Sequence, residues 1–307
     1  MSTLRSRAGW AASGLMATLL LSGCVIGEVD RDEPTGTPAP SSDTAVVTTG
    51  PAPTTGGATS TAPPPGPPGD GGTVEVPESD GSVGVVLLDD GERRSGGSLA
   101  GLADAAWSTS KVPLAVAALN NAPGDQEITA QMRQAITVSD NAAADALWAS
   151  LGDPADAAAA VQDVLREGGD TSTTVPAEKR RAEFSTFGQT TWSLDDQAVF
   201  ASGLRCVTGS APVLEAMGQV GVDQSYGLGQ FDGARFKGGW GPGEDGTYLV
   251  RQFGLVPADD GTVVPVAVAA TAPDGSYASA QAVLNQVAEA LRDTVRGAHG
   301  VATDGDC

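Results

Sequence analysis

The spacing of hydrophobic and polar positions changes period twice along the chain. Val83 to Asp89 is an apolar, β-branched run ending in Asp89-Asp90-Gly91, followed by a short polar segment to Gly97, which is the pattern of a hairpin. After Trp107 the spacing becomes helical. Val112, Leu114, Val116 and Leu119 mark a buried side, Pro113 falls in a first turn where its missing N–H costs nothing, and Asn120, Asn121, Pro123 and Gly124 stop the helix. Further helices are predicted over 129–137 and 142–151, with Ser139-Asp140-Asn141 between them. A fourth starts with Asp153 as cap and Pro154 at its first position and ends at Gly168-Gly169; Ser193, with Asp196 three residues on, caps a fifth. Past Phe236 the pattern returns to strands. Segments 236–241, 248–256 and 263–271 read as a meander of antiparallel strands, and 279–296 as a last helix with Val283, Leu284, Val287, Leu291 and Val295 on one face.

This order implies an α/β (α+β) fold: an antiparallel sheet built from both chain ends, covered by N- and C-terminal helices, with an all-helical lobe alongside. Two segments lie outside it. Arg5 and Arg7 precede an apolar run from Ala11 to Leu21, and Leu21-Ser22-Gly23-Cys24 resembles a bacterial lipoprotein cleavage box, so 1–23 reads as a signal peptide and Cys24 as the lipidated residue. Residues 24–80 are rich in Pro, Thr, Gly and Ser, cannot bury enough apolar surface to offset ordering, and read as a disordered tether. That leaves 81–307 as one folded domain. The expected location is extracytoplasmic, anchored to the cell membrane through Cys24, and in that oxidising setting Cys206 and Cys307 are expected to pair.

Charge and composition narrow the chemistry. The chain carries 17 basic against 38 acidic residues, a formal charge of −21, so a nucleic-acid partner is not expected, and the one short basic run, Lys179-Arg180-Arg181, reads as a solvated loop. The single histidine, His299, follows the last helix; a Ser-His-Asp triad or a histidine metal site is nearly excluded, and no metal or cofactor is expected. An activated serine in such a chain needs another base, and lysine is the alternative. Ser108-Thr109-Ser110-Lys111, opening the first long helix, meets that need. Residues three apart share a helical face, so the ammonium of Lys111 can reach the hydroxyl of Ser108, and free N–H groups at a helix start favour negative charge there.

Two more elements follow in order: Ser139-Asp140-Asn141 between helices and Lys237-Gly238-Gly239 entering a strand. With the run Trp107 to Leu119 and the run Ala135 to Asp145, they resemble the three signature motifs of class A β-lactamases and related D,D-peptidases, over the whole folded domain. The resemblance implies a serine hydrolase or acyltransferase acting on a β-lactam or a peptidoglycan stem peptide, as a monomer. Ser108 would be the nucleophile, Lys111 its proton acceptor or relay, Ser139 the donor to the leaving nitrogen, and Lys237 a positive charge for Ser139 and a substrate carboxylate. Asn141 would bind the acyl side chain, Gly239 and Trp240 would line the substrate on the edge strand, and the N–H groups of Ser108 and Trp240 would form the oxyanion hole. Asp140 would be a structural brace. If the strand turn centres near Glu244, Arg251 stands opposite Lys237 and could anchor a carboxylate, as a strand arginine does in class A enzymes.

The chain also departs from that family. Gly238 stands where the third motif usually has a hydroxyl residue. The Glu-x-x-Leu-Asn pattern that supplies the deacylating glutamate is absent before Thr190-Thr191-Trp192, where Glu178 and Glu183 are poor substitutes. The first and second motifs are only 31 residues apart, which implies a lost loop and helix and a more open cleft. Fast β-lactam turnover is therefore not expected, and a catalytically silent cell-wall binding module on the same fold is the alternative.

Overall fold

The computed structural model describes residues 69–79 and 81–303. The signal peptide, Cys24, most of the tether and Cys307 lie outside the described residues, and with Cys307 so does the expected pairing to Cys206.

Eight strands and seven helices make up the described part. Strands β1 (Gly69–Thr73), β2 (Ser82–Asp89), β3 (Glu92–Gly96), β6 (Arg235–Pro242), β7 (Tyr248–Pro257) and β8 (Val263–Thr271) form one sheet in the order β1-β3-β2-β8-β7-β6. The two hydrophobic runs at the ends of the domain thus meet in its middle, β2 against β8. Asp90 and Gly91 both have positive φ (53° and 76°), the backbone of a two-residue type I′ turn, so the Asp-Gly pair sets the β2–β3 register at Asp89 opposite Glu92.

One feature of the sheet differs from the sequence reading. Gly69–Thr73, read as tether, pairs parallel to β3 at the sheet edge. Its side chains are mostly exposed, so the main-chain ladder, which leaves no hydrophobic signature, is what ties it there.

Helices α1 (Lys111–Asn121), α2 (Gln126–Thr137), α3 (Asn141–Ala149), α4 (Pro154–Glu167) and α6 (Ala211–Met217) form the helical lobe. α5 (Leu194–Gly203) packs on one face of the sheet and α7 (Tyr277–Arg296) on the other. The caps explain the boundaries. Asp125 accepts from the N–H groups of Glu127 and Ile128 and starts α2 three residues earlier than its apolar pattern suggests. Ser193 accepts from Asp196 N at 2.9 Å, as the capping-box spacing predicts. α1 is buried along most of its length and is the axis of the lobe, wrapped by α2, α3 and α4.

Two apolar clusters result. One joins the lobe to the α5 side of the sheet through Leu114, Ile136, Leu147, Phe200 and Phe253; the other lies under α7 with Val85, Val268, Leu284 and Leu291. A short ladder, β4 (Ala103–Ala105) with β5 (Thr191–Ser193), ties the segment before Ser108 to the segment before α5.

Candidate active site

Ser108 lies in a 3-10 turn, Trp107–Ser110, that runs straight into α1, so Lys111 is the first residue of the helix. In a 3-10 turn residues three apart eclipse one another, which places Lys111 above Ser108. Trp107 has φ 51°, a conformation that costs a bulky side chain free energy and is held only by its surroundings. Those surroundings are Gly241, where a Cβ would lie 2.5 Å from the indole, and Phe184, edge-on at 5.0 Å.

The three sequence motifs converge. Ser108 (3 % exposed), Lys111, Ser139 and Lys237 are all buried. Lys237 Nζ donates to Ser139 Oγ at 2.9 Å and to Gly238 O at 2.9 Å. Lys111 Nζ donates to Ser139 O at 2.5 Å, to Asn141 Oδ1 at 2.7 Å and to Ser139 Oγ at 3.3 Å. Two lysine Nζ atoms therefore meet on one hydroxyl. Ser139 reaches this position with φ 57°, so its backbone is also held in a costly conformation. Asp140 caps α3 by accepting from Ala143 N at 2.7 Å, the brace expected of it.

Gly239 presses on the nucleophile's backbone. A Cβ at this position would stand 2.8 Å from Ser108 N and 2.9 Å from Thr109 N, so β6 approaches the turn only because no side chain intervenes. Gly238 is different: a Cβ there would meet Tyr226 Oη at 3.5 Å and Gln252 Cγ at 3.7 Å, which is ordinary contact. The backbone there has room for a Cβ. Trp240 is 8 % exposed and its ring stacks on Tyr277 at 5.1 Å, toward the α7 side.

Arg251 is not where the sequence reading puts it. The β6–β7 register pairs it with Gly239, while Lys237 faces Phe253, because the turn centres on Asp245 rather than Glu244. Arg251 is fully buried and donates to the carbonyls of Asp104 (3.0 Å), Ala105 (3.1 Å) and Trp192 (2.8 Å) and to Gln197 Oε1 (2.7 Å). Burial pulls its pKa down to about 10, partly opposed by Asp104. It is a brace behind Ser108 and no surface anchor for a carboxylate.

The loop between α4 and β5 holds neither glutamate near the motifs' buried centre. Glu178 and Glu183 are exposed, and Glu183 pairs with Arg181 at 3.3 Å. The loop is closed instead by Gln189, whose Oε1 accepts from Arg180 N and Arg181 N and whose Nε2 donates to Arg181 O, Phe184 O and Ser185 O. Ser185 Oγ donates to Asp145 Oδ1 at 3.1 Å, and Arg181 stacks over Phe184 at 4.2 Å while donating to Pro242 O. The loop is thus fastened to both α3 and β6, and the four buried side chains do not lie in the more open cleft that the short spacing suggests. Sequence reasoning missed Gln189, Phe184 and Asp145. Gln189 had one signal, its place directly before Thr190-Thr191; the other two had none.

At the base of the same loop Asp170 is buried and accepts from Trp192 Nε1 at 2.9 Å; desolvation pushes its carboxyl above the usual carboxylate range, opposed by its Thr173 bonds. His299 is exposed at the opposite margin, beside Asp260 at 2.8 Å. Among the described residues no group of three or more His, Cys, Asp or Glu side chains is arranged to hold a metal ion.

Solved structures identify the fold. The fold is that of the class A β-lactamases. A β-lactamase from Chitinophaga pinensis superposes with a TM-score of 0.57 at 17 % identity, over 69 % of this chain and 93 % of that one. The chromosome-encoded β-lactamase of Vibrio parahaemolyticus gives 0.55 at 16 %, over 71 % and 95 %, and the class A β-lactamase of the last common ancestor of Gram-negative bacteria gives 0.53 at 21 %, over 70 % and 94 %. No protein-family model matches the sequence, and no curated protein matches it. Within this fold the three motifs form one cluster, and the loop between α4 and β5 closes around Gln189.

Proposed function

We propose that this protein is a β-lactamase-like serine acyl-transfer enzyme that forms an ester on Ser108 from a β-lactam or a peptidoglycan stem peptide and releases it slowly. The observation that carries the reading is the meeting of Lys111 and Lys237 on Ser139, beside the turn that holds Ser108. With Lys111 Nζ in its neutral amine form, Ser108 Oγ attacks the carbonyl carbon as its proton passes to Lys111 Nζ; the C–N bond then breaks as the nitrogen takes the Ser139 hydroxyl proton, which Lys111 Nζ replaces with the proton it accepted. The N–H groups of Ser108 and Trp240 receive the oxyanion. Lys237 orients the Ser139 hydroxyl and offers charge to a substrate carboxylate. Release is slow because Glu178 and Glu183 are both solvent-exposed, away from the buried centre where a water would need a base. Lipidation of Cys24 would hold this domain on the outer side of the membrane, close to cell-wall substrates.

A fluorescent penicillin tests the reading. It should label the protein covalently, and the label should be absent in Ser108→Ala. A second reading, a silent binding module, is favoured by one observation: Lys111 is taken up by Ser139 and Asn141. Labelling absent with penicillins and with activated acyl esters, in a protein that still binds cell-wall fragments, would select that reading.

A further inference from the structure

Arg251 is a fully buried guanidinium with no carboxylate among its hydrogen-bond partners, and its Nε has no partner either. Asp104 only partly opposes the desolvation of this buried charge, so the fold retains a costly group that packing alone would replace by an apolar one. What the group holds is specific. Its Nη1 takes the carbonyls of Asp104 and Ala105; the next carbonyl, Ala106 O, accepts from Thr109 Oγ1 at 2.5 Å, and the next, Trp107 O, from Ser110 Oγ at 2.6 Å. Every carbonyl from 104 to 107 is thereby engaged by a donor. Gln197 bridges the two halves of the arrangement, accepting from Arg251 Nη2 through Oε1 and donating from Nε2 to Thr109 Oγ1 at 2.8 Å. With the carbonyl dipoles committed, the Ser108 N–H, which lies against β6 at Gly239, is left as the dipole available to an incoming oxygen.

We propose that Arg251 is a positioning residue for the oxyanion hole: its guanidinium fixes the carbonyls before Ser108, and its buried positive charge, which no carboxylate hydrogen-bonds, favours the anion that forms there. The inference rests on the acyl-transfer reading above. It assigns to Arg251 a part in the rate of acylation and none in recognition of a substrate carboxylate.

The experiment follows acylation of the full chain by a fluorescent penicillin, at a series of concentrations, separating the saturating rate constant, the half-saturating concentration and the final amplitude. The variants are Arg251→Met, Arg251→Lys and Gln197→Glu, the last keeping a bond to Arg251 while placing a carboxylate in direct contact with the guanidinium. Removing an oxyanion contribution lowers the rate constant by about 100-fold. That is the expected change for Arg251→Met, with a smaller loss for Arg251→Lys and for Gln197→Glu and half-saturation within about 3-fold of wild type throughout. A role in folding alone would lower the amplitude and leave the rate constant of the labelled fraction unchanged. Should Arg251→Met not fold, Gln197→Glu carries the test. Labelling of the wild type with unaltered rate constants in the folded variants overturns the positioning role and leaves the acyl-transfer reading intact. No labelling of the wild type overturns both.

Discussion

The motif cluster and the α4–β5 loop face the same chemistry from two sides, and they differ in how the chain spends its polar groups. In the cluster, the buried Lys111, Lys237 and Ser139 and the half-buried Asn141 are bonded to one another. In the loop, the buried amide of Gln189 gives all of its bonds to the loop's own main chain, and both glutamates are exposed. One region holds functional side chains against a desolvation cost, while the other uses its buried amide to keep a short loop folded. On the proposed reading, a fold shared with β-lactamases would thus carry the side chains for forming an acyl-enzyme without a buried glutamate in this loop to hydrolyse it.

The largest expected effect tests the first region. Lys111→Ala should slow acylation by about 10²- to 10⁴-fold, as removal of a general base does, with retention of the α1 backbone checked by circular dichroism. An unchanged rate would break the comparison, since the buried cluster would then have no catalytic consequence. Next in size, Gly238→Thr should tighten penicillin binding by roughly 10-fold, because a hydrogen bond to a charged group contributes about 1.5 kcal/mol or more and a Cβ at this position meets only ordinary contacts. A titration of acylation rate against penicillin concentration reads this directly.

Glu178→Gln and Glu183→Gln should each leave the lifetime of the adduct within about 2-fold, the ordinary range for solvated surface groups. A lifetime that lengthens strongly in either would locate a deacylating base in the loop and merge the two regions. The smallest effect lies outside both. The bond to Asp260 holds the His299 imidazole above the ordinary histidine range. The contribution is fully present below the unfolded value and is lost as pH rises through the raised folded value. Asp260 is lowered to about 2, with its Thr262 bond the leading cause and His299 second, so its contribution is lost only in strong acid. The thermal midpoint should fall slightly as pH rises from about 6 to 9, and Asp260→Asn should flatten that slope.

Much of the scaffold was legible because single residues set it. The Asp-Gly turn, Pro154, the Ser193 cap and the continuous apolar runs of the meander each have a local cause, and each stands where its cause places it. The convergence of Ser108, Ser139 and Lys237 was legible through ordered motifs. Arg251 was not: moving the β6–β7 turn centre by one residue changes its partner by two, from Lys237 to Gly239, without changing its face. Its bonds run to main-chain carbonyls, which any sequence carries. β1 was hidden for the same reason, being tied to β3 by backbone ladder on a Gly-rich segment.

The central claim is that Ser108 forms a covalent ester that persists. Intact-mass measurement after exposure to a penicillin, followed by mapping of the modified peptide, tests it most directly. The account predicts a gain of one whole penicillin mass, located on Ser108, surviving removal of excess reagent and absent in Ser108→Ala. An unmodified mass, or the same gain in Ser108→Ala, would contradict it.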